Sequence, residues 1–83
     1  KQIQPRSGPE RAFGEALREI RDRRDLSQEE LADRCESDRT TISMLERGLM
    51  SPTLRMITRL CKALDVLPSE VMRRAEKSRL FHT

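Results

Sequence analysis

The sequence predicts an all-α fold in which five short helices pack into one domain. Apolar residues recur at three- and four-residue spacing in five successive segments, which is the period of a helix with one buried face. No segment alternates apolar and polar residues with the period of two that a half-buried strand requires. The chain has 83 residues, of which 35% are hydrophobic, and its only aromatic residues are Phe13 and Phe81. We therefore expect a single domain with an aliphatic core.

The first two helices are defined by an apolar stripe and by a capping motif. The first helix is predicted over residues 10 to about 24, with Arg21 among the charged residues on its surface. Ser27 begins a capping box, in which its hydroxyl accepts from the Glu30 N–H and the Glu30 carboxylate accepts from the Ser27 N–H. The second helix ends near Cys35. The predicted buried residues of these two helices are Phe13, Ala16, Leu17, Ile20, Leu31, Ala32 and Cys35.

The third helix follows the second after a very short connector. Only residues 36–38 separate the second helix from a third, which is predicted over residues 39–47. Asp38 is its candidate N-cap, and Gly48 is the candidate stop at its C-terminus. Two helices joined in this way have the sequence pattern of a helix-turn-helix. The predicted buried residues of the third helix are Ile42 and Leu45.

The fourth and fifth helices are both predicted to begin at a proline. Ser51 is the candidate cap of the fourth helix, with Pro52 in its first position, and Pro68 opens the fifth helix. The predicted apolar face of the fourth helix consists of Leu54, Ile57, Leu60, Cys61 and Leu64. The predicted inward-facing residues of the fifth helix are Val71, Met72 and Ala75.

The predicted folded domain covers residues 10–76. Residues 1–9 hold two prolines and a glycine without an apolar period, which predicts either a disordered arm or a cloning remnant, and residues 77–83 form a C-terminal tail. No stretch approaches the roughly 20 apolar residues that span a bilayer, and no secretory signal pattern is recognised. Cys35 and Cys61 are too few for a disulfide scaffold, so we expect a cytoplasmic protein.

The whole chain has a formal net charge of +3. Its positive charge is concentrated in one segment. Residues 39–62 carry five basic side chains and one acid, whereas residues 10–38 carry six arginines and ten acids. Most of the basic residues are arginines, which bind phosphate and guanine in a bidentate manner. A positive face of this kind suits a polyanionic partner. The alternative is a charged surface that contacts only solvent.

The sequence contains no constellation that indicates catalysis or metal binding. His82 is the only histidine, and no cysteine or carboxylate cluster surrounds it. Cys35 and Cys61 fall on apolar helix faces, and two sulfurs without further ligands do not form a zinc site. No glycine-rich phosphate loop is present. We therefore expect no enzyme activity, no cofactor and no metal.

The helix-turn-helix segment carries the residues of a known family. Residues 26–48, LSQEELADRCESDRTTISMLERG, with SPTL at 51–54 and LCKALDV at 60–66, resemble the XRE-type helix-turn-helix of phage Cro and repressor proteins. The resemblance covers residues 10–76 and implies a compact, five-helix, lambda-repressor-like DNA-binding domain. The start of the third helix, Asp-Arg-Thr at 38–40, is also similar to the controller proteins of restriction–modification systems.

Three positions depart from the family pattern. Glu36 stands where the family usually has a glycine with positive φ, a conformation that costs a residue with a side chain about 1 kcal/mol. Ser37 replaces the usual buried aliphatic residue of the turn, and Asp65 replaces a common glycine after the fourth helix. The first departure predicts a reshaped turn between the second and third helices, and the second predicts a weaker contact between these helices.

The resemblance implies that the third helix enters the major groove of DNA. The candidate base-reading residues are Arg39, Thr40, Ser43 and Met44. Arg39 can bind guanine O6 and N7. The alternatives are a surface ion pair of Arg39 with Asp38 or Glu36, and packing of Met44 beneath a neighbouring helix. The candidate phosphate-binding residues are Gln28, Thr41, Arg47, Ser51, Thr53 and Arg55. For Gln28 the alternative is helix capping alone.

Members of this family bind palindromic sites as dimers, so we expect a homodimeric transcriptional regulator of double-stranded DNA. The two half-sites of the palindromic DNA are expected about 34 Å apart. The candidate dimer surface consists of Leu67, Val71 and Met72, with Leu80 and Phe81 as further candidates. The alternative is that Val71 and Met72 only close the monomer core. Two rival functions are a protein-interaction module, such as an antitoxin with secondary DNA binding, and the DNA-binding part of a larger regulator.

Overall fold

The structure is a computed structural model that describes residues 8–82, and it contains the five predicted helices. The helices are α1 (Pro9–Arg23), α2 (Gln28–Arg34), α3 (Arg39–Glu46), α4 (Leu54–Leu64) and α5 (Pro68–Lys77), followed by a 3₁₀ turn (Arg79–His82). The all-α fold class is confirmed, and residues 8–82 contain no strand. Residues 1–7 of the predicted arm lie outside the described residues. Its last two residues belong to α1, with Gly8 as the N-cap and Pro9 as the first helical residue. No helix in the described range is both long and apolar enough to cross a membrane.

α1 makes the most extensive contacts with the rest of the fold. It contacts α3, α5 and the 3₁₀ turn, while α2 packs against α3 and α4. Its predicted stripe is buried, and the core is aliphatic as expected. Cys35 and Cys61 are free thiols within this core, where burial raises the pKa of both. The largest fully buried side chains are those of Leu17, Leu31, Ile42, Leu45, Leu60, Leu64 and Val71.

Acidic residues adopt the left-handed conformation after three of the helices. Asp25, Glu36 and Asp65 have φ values of 56°, 57° and 56°. In the turn between α2 and α3, the Ser37 N–H donates to the Ala32 carbonyl oxygen at 2.8 Å, which ends α2 in the manner usual for a glycine cap. The turn is therefore not reshaped as the sequence predicted. Glu36 instead adopts the positive φ directly and bears its cost.

α4 begins two residues later than the sequence predicted. Thr53, not Ser51, is the N-cap, and its hydroxyl accepts from the Met56 N–H at 3.1 Å. Pro52 therefore precedes the cap instead of opening the helix. Leu54, which was predicted on the apolar face, becomes the first helical residue and is 78% exposed.

α1 and α3 approach each other more closely than the sequence indicated. A Cβ atom on Gly14 would lie 2.6 Å from the Glu46 carbonyl oxygen and nearer still to that of Leu45. Only glycine leaves room for the C-terminal end of α3 at this point of α1. Gly48 follows α3 with φ 72°, and it stands at the predicted stop.

α5 and the 3₁₀ turn close the core over α1. Val71 is 1% exposed and packs in the core, as the alternative interpretation had it, so it offers no surface to a partner. Leu80 and Phe81 are half-buried against the same core, so the 3₁₀ turn packs on the domain. Leu67 is 68% exposed and Met72 is 38% exposed.

Candidate nucleic-acid interface

Five of the predicted DNA-contacting side chains share the outward face of α3. Arg39, Thr40 and Arg47 are exposed, and Ser43 and Met44 are half-buried. Together they line a shallow depression of about 200 Å³, and none of the residues 8–82 that line it is acidic. Arg39 has no ion-pair partner among residues 8–82, so the predicted alternative of a surface pair is not observed. The face is therefore basic and polar, and it is open to a ligand.

Core packing and an N-terminal cap fix the orientation of α3. Ile42 and Leu45 are fully buried beneath the exposed face. Asp38 caps the helix as predicted, since its Oδ1 accepts from the Thr41 N–H at 2.7 Å. This hydrogen bond holds the pKa of the Asp38 carboxyl below its usual range. Thr41 is itself half-buried beside the cap.

The N-terminus of α2 carries the predicted capping box. The Glu30 N–H donates to Ser27 Oγ at 3.0 Å, and the Ser27 N–H donates to Glu30 Oε1 at 2.8 Å. The second of these bonds holds the pKa of Glu30 below its usual range. Gln28 opens the helix, is half-buried, and donates from Nε2 to Glu46 Oε1 at 3.0 Å. Its side chain is thus oriented by α3 and is not engaged in capping.

A buried ion pair, which the sequence analysis missed, lies behind this surface. Arg21 was predicted on the surface of α1 but is buried, and its Nε donates to Glu46 Oε2 at 2.6 Å. The bond to Glu46 raises the pKa of Arg21, and Arg21 Nη1 also donates to the Leu26 carbonyl oxygen at 2.7 Å. The signal was present in the spacing, because Arg21 follows Leu17 by four residues and Glu46 follows Ile42 by four. Both charged residues therefore continue an apolar stripe.

The segment between α3 and α4 brings further predicted phosphate ligands to the surface. Thr53 and Arg55 are exposed at the start of α4. Ser51 is also exposed, but its Oγ donates to Glu10 Oε2 of α1 at 3.0 Å. The Ser51 hydroxyl is therefore already engaged with a carboxylate, which the sequence did not indicate.

Potential metal ligands are dispersed over the described part of the chain. Within residues 8–82, no group of three or more His, Cys, Asp or Glu side chains is placed to hold a metal ion. His82 is exposed, and its ring meets that of Phe81 edge-on with the ring centroids 5.1 Å apart.

Comparison with known proteins identifies the family. The Helix-turn-helix family profile matches residues 17–71. The control protein C.BamHI of Bacillus amyloliquefaciens is 41% identical over 61 residues, which cover 72% of this chain and 75% of the relative. The chain belongs to the XRE-type helix-turn-helix family.

Two solved structures of regulatory proteins have the same fold. The restriction-modification controller protein C.AhdI from Aeromonas hydrophila is 41% identical, with a TM-score of 0.72 over 74% of this chain and 92% of that one. The clp gene regulator ClgR from Corynebacterium glutamicum is 28% identical, with a TM-score of 0.83 over 92% of this chain and 96% of that one. The family profile, C.BamHI and C.AhdI support a helix-turn-helix DNA-binding regulator of the restriction–modification control-protein type.

Proposed function

We propose that this helix-turn-helix protein binds a palindromic DNA operator as a homodimer, inserts α3 into the major groove, and thereby regulates transcription. The observation that carries the proposal is the outward face of α3, where Arg39 is exposed without an ion-pair partner in the described range. A recognition helix contacts base edges through its N-terminal residues, and Arg39 is the first residue of α3.

Base reading is assigned to the residues that line the depression on α3. Arg39 suits guanine because a guanidinium matches O6 and N7 in a bidentate manner. Thr40 and Ser43 supply hydroxyl groups that can bond to either type of base. Met44 supplies an apolar contact for a thymine methyl group.

Phosphate binding is assigned to the residues that surround this depression. Gln28 and Thr53 lie at the N-terminal ends of α2 and α4, where the helix dipole favours anions. Arg47 and Arg55 are exposed basic residues near α3 and at the start of α4, and Thr41 lies beside the α3 cap. Ser51 joins this set only if its hydroxyl leaves Glu10.

The dimer surface is assigned to the exposed apolar residues at the start of α5. Leu67 and Met72 are large apolar side chains that the monomer leaves accessible, whereas Val71 belongs to the core. A two-fold dimer brings the same patch of both subunits together and separates the two α3 helices by one turn of DNA, about 34 Å. The proposed setting is the cytoplasm, since both cysteines are free thiols.

Selection of bound sites from a random duplex library tests the function, at about 0.15 M salt to suppress non-specific phosphate binding. We expect enrichment of an inverted repeat with half-sites one helical turn apart and a guanine in each. Arg39→Ala should reduce discrimination at that guanine by about 5- to 150-fold, the equivalent of about 1–3 kcal/mol. Arg18→Ala, which removes an exposed arginine of α1, is the matched control and should leave the enriched sequence unchanged.

The outcome separates the proposal from its rival. Enrichment of single half-sites without symmetry would contradict the homodimer. Absence of any enriched sequence from folded protein would contradict operator binding and would favour a protein-interaction module such as an antitoxin.

A further inference from the structure

The first turn of α1 lies against the α3–α4 segment, residues 47–53, which joins these two helices. A Cβ atom on Gly48 would lie 2.7 Å from Arg11 Cγ and 3.0 Å from Arg11 Cα, so the two residues are in direct contact. Glu10 makes a second contact, since its Oε2 accepts from Ser51 Oγ at 3.0 Å. The start of α1 is therefore held beside the segment that carries several of the proposed phosphate ligands.

Arg11 has an unbalanced positive charge at this contact. Its side chain is exposed, and no ion pair within residues 8–82 engages its guanidinium. Glu10, the adjacent carboxylate in the chain, is half-buried and bonded to Ser51 instead. Arg47, the residue before Gly48, is likewise exposed and forms no ion pair in this range. Two guanidinium groups therefore belong to adjoining segments without a carboxylate bonded to either.

The fold itself gains nothing from a cation at this position. Arg11 is the third residue of α1, and the positive end of the helix dipole disfavours a cation in the first turn. Near the other end of the helix, by contrast, the arginines support the fold. Arg21 is bonded to Glu46, and Arg24 Nε donates to a main-chain carbonyl oxygen of α4 at 2.8 Å. A bound phosphate would suit Arg11, because its negative charge is attracted by both the guanidinium and the helix N-terminus.

We propose that Arg11 is a DNA phosphate ligand, which places the first turn of α1 on the sugar–phosphate backbone beside the groove that α3 enters. This inference rests on the proposed function, because the phosphate belongs to the same bound DNA. A phosphate contact carries no sequence information, so its loss should weaken binding to all duplexes alike.

Salt titration of DNA binding measures this contact, with a random-sequence duplex as the probe. Each phosphate neutralised by a basic side chain contributes about 0.9 to the slope of the logarithm of the binding constant against the logarithm of the salt concentration. Arg11→Met keeps the Cβ and Cγ atoms beside Gly48 and removes the charge. We expect it to reduce the slope by about 0.9 for each bound subunit, equivalent to about a fivefold loss at 0.15 M relative to 1 M salt. Arg11→Lys keeps the charge and should leave the slope unchanged.

Arg18→Met is the matched control. Arg18 is an exposed arginine seven residues further along α1, so it lies on the same face about two turns away. Its replacement removes the same net charge and should leave the slope unchanged. An equal fall for both variants would mean that only the net charge matters, and an unchanged slope for Arg11→Met would mean that Arg11 stays in solvent. Either result overturns the inference while the proposed function stands.

Urea denaturation of the free proteins separates DNA binding from folding. Because Arg11 is exposed and its charge opposes the helix dipole, Arg11→Met should be at least as stable as the unmodified protein. A loss of stability that accompanies the loss of affinity would overturn the inference, since Arg11 would then support the fold. If the unmodified protein binds no duplex, the proposed function fails and the inference fails with it.

Discussion

Replacing Arg21 by methionine tests whether the buried ion pair holds the fold together. The change leaves the Glu46 carboxylate buried, with Gln28 as the only remaining side-chain donor among residues 8–82. Removal of one partner of a buried pair costs about 3–5 kcal/mol, because the other charge stays uncompensated. A chain of this length has a total stability of about 4–12 kcal/mol. The variant should therefore lose a large fraction of its stability and melt at least about 12 °C lower.

Urea denaturation followed by far-ultraviolet circular dichroism is the suitable assay, since the chain is helical and contains no tryptophan or tyrosine. Arg23→Met is the matched control, because it removes an exposed arginine of the same helix. Its free energy of unfolding should change by less than about 0.5 kcal/mol. The double variant Arg21→Met, Glu46→Met removes both charges and should recover at least about 2 kcal/mol relative to Arg21→Met alone.

Two results would refute this reasoning. A loss of less than about 1 kcal/mol for Arg21→Met would mean that Glu46 finds water or another donor at little cost. Additive losses in the double variant would mean that the two side chains stabilise the fold independently and do not act as a pair.

Three further predictions concern single positions and use the same denaturation assay. Gly14→Ala should cost about 1–3 kcal/mol, because the new Cβ meets two backbone carbonyls, although alanine in an unobstructed helix would stabilise by about 1 kcal/mol. Glu36→Gly should raise stability by about 1 kcal/mol by relieving the positive φ, and no gain would contradict the strain. The pKa of Glu30 is lowered in the folded protein by the Ser27 N–H, so its contribution is present above its unfolded value of about 4.3 and is lost as pH falls through the folded value. Glu30→Gln should therefore flatten the acid limb of a stability–pH profile, and an unchanged limb would count against it.

The features that the sequence predicted correctly are local. The capping box at Ser27 and Glu30 joins residues only three positions apart, and Asp38 caps α3 over the same distance. Burial of Cys35 and Cys61 followed from the apolar spacing of their own helices. Such features depend on the geometry of one helical turn, which the order of residues fixes directly.

The features that the sequence did not reveal depend on contacts between distant segments. Arg21 and Glu46 are separated by 25 residues, so their pairing requires the packing of α1 against α3. The start of α4 lies at Leu54 and not at Pro52, with Thr53 as the cap, while Ser51 donates to Glu10 of α1. Neither contact follows from the spacing of residues within one helix, since both join α1 to a segment far along the chain.

The hydrogen bond from Gln28 to Glu46 adds a second contact between the two helices that the turn joins, α2 and α3. Ser37 stands where the resembled family has a buried aliphatic residue, so this turn lacks one apolar contact between the two helices. The bond from Gln28 to Glu46 joins the opposite ends of the same helices, the N-terminus of α2 and the C-terminus of α3. Hydrogen bonds restrict geometry more narrowly than apolar contacts, because they require particular distances and directions. The bond from Gln28 to Glu46 therefore adds a directional contact between α2 and α3 at the end remote from the turn, beside the burial of Ile42 and Leu45 that also orients α3.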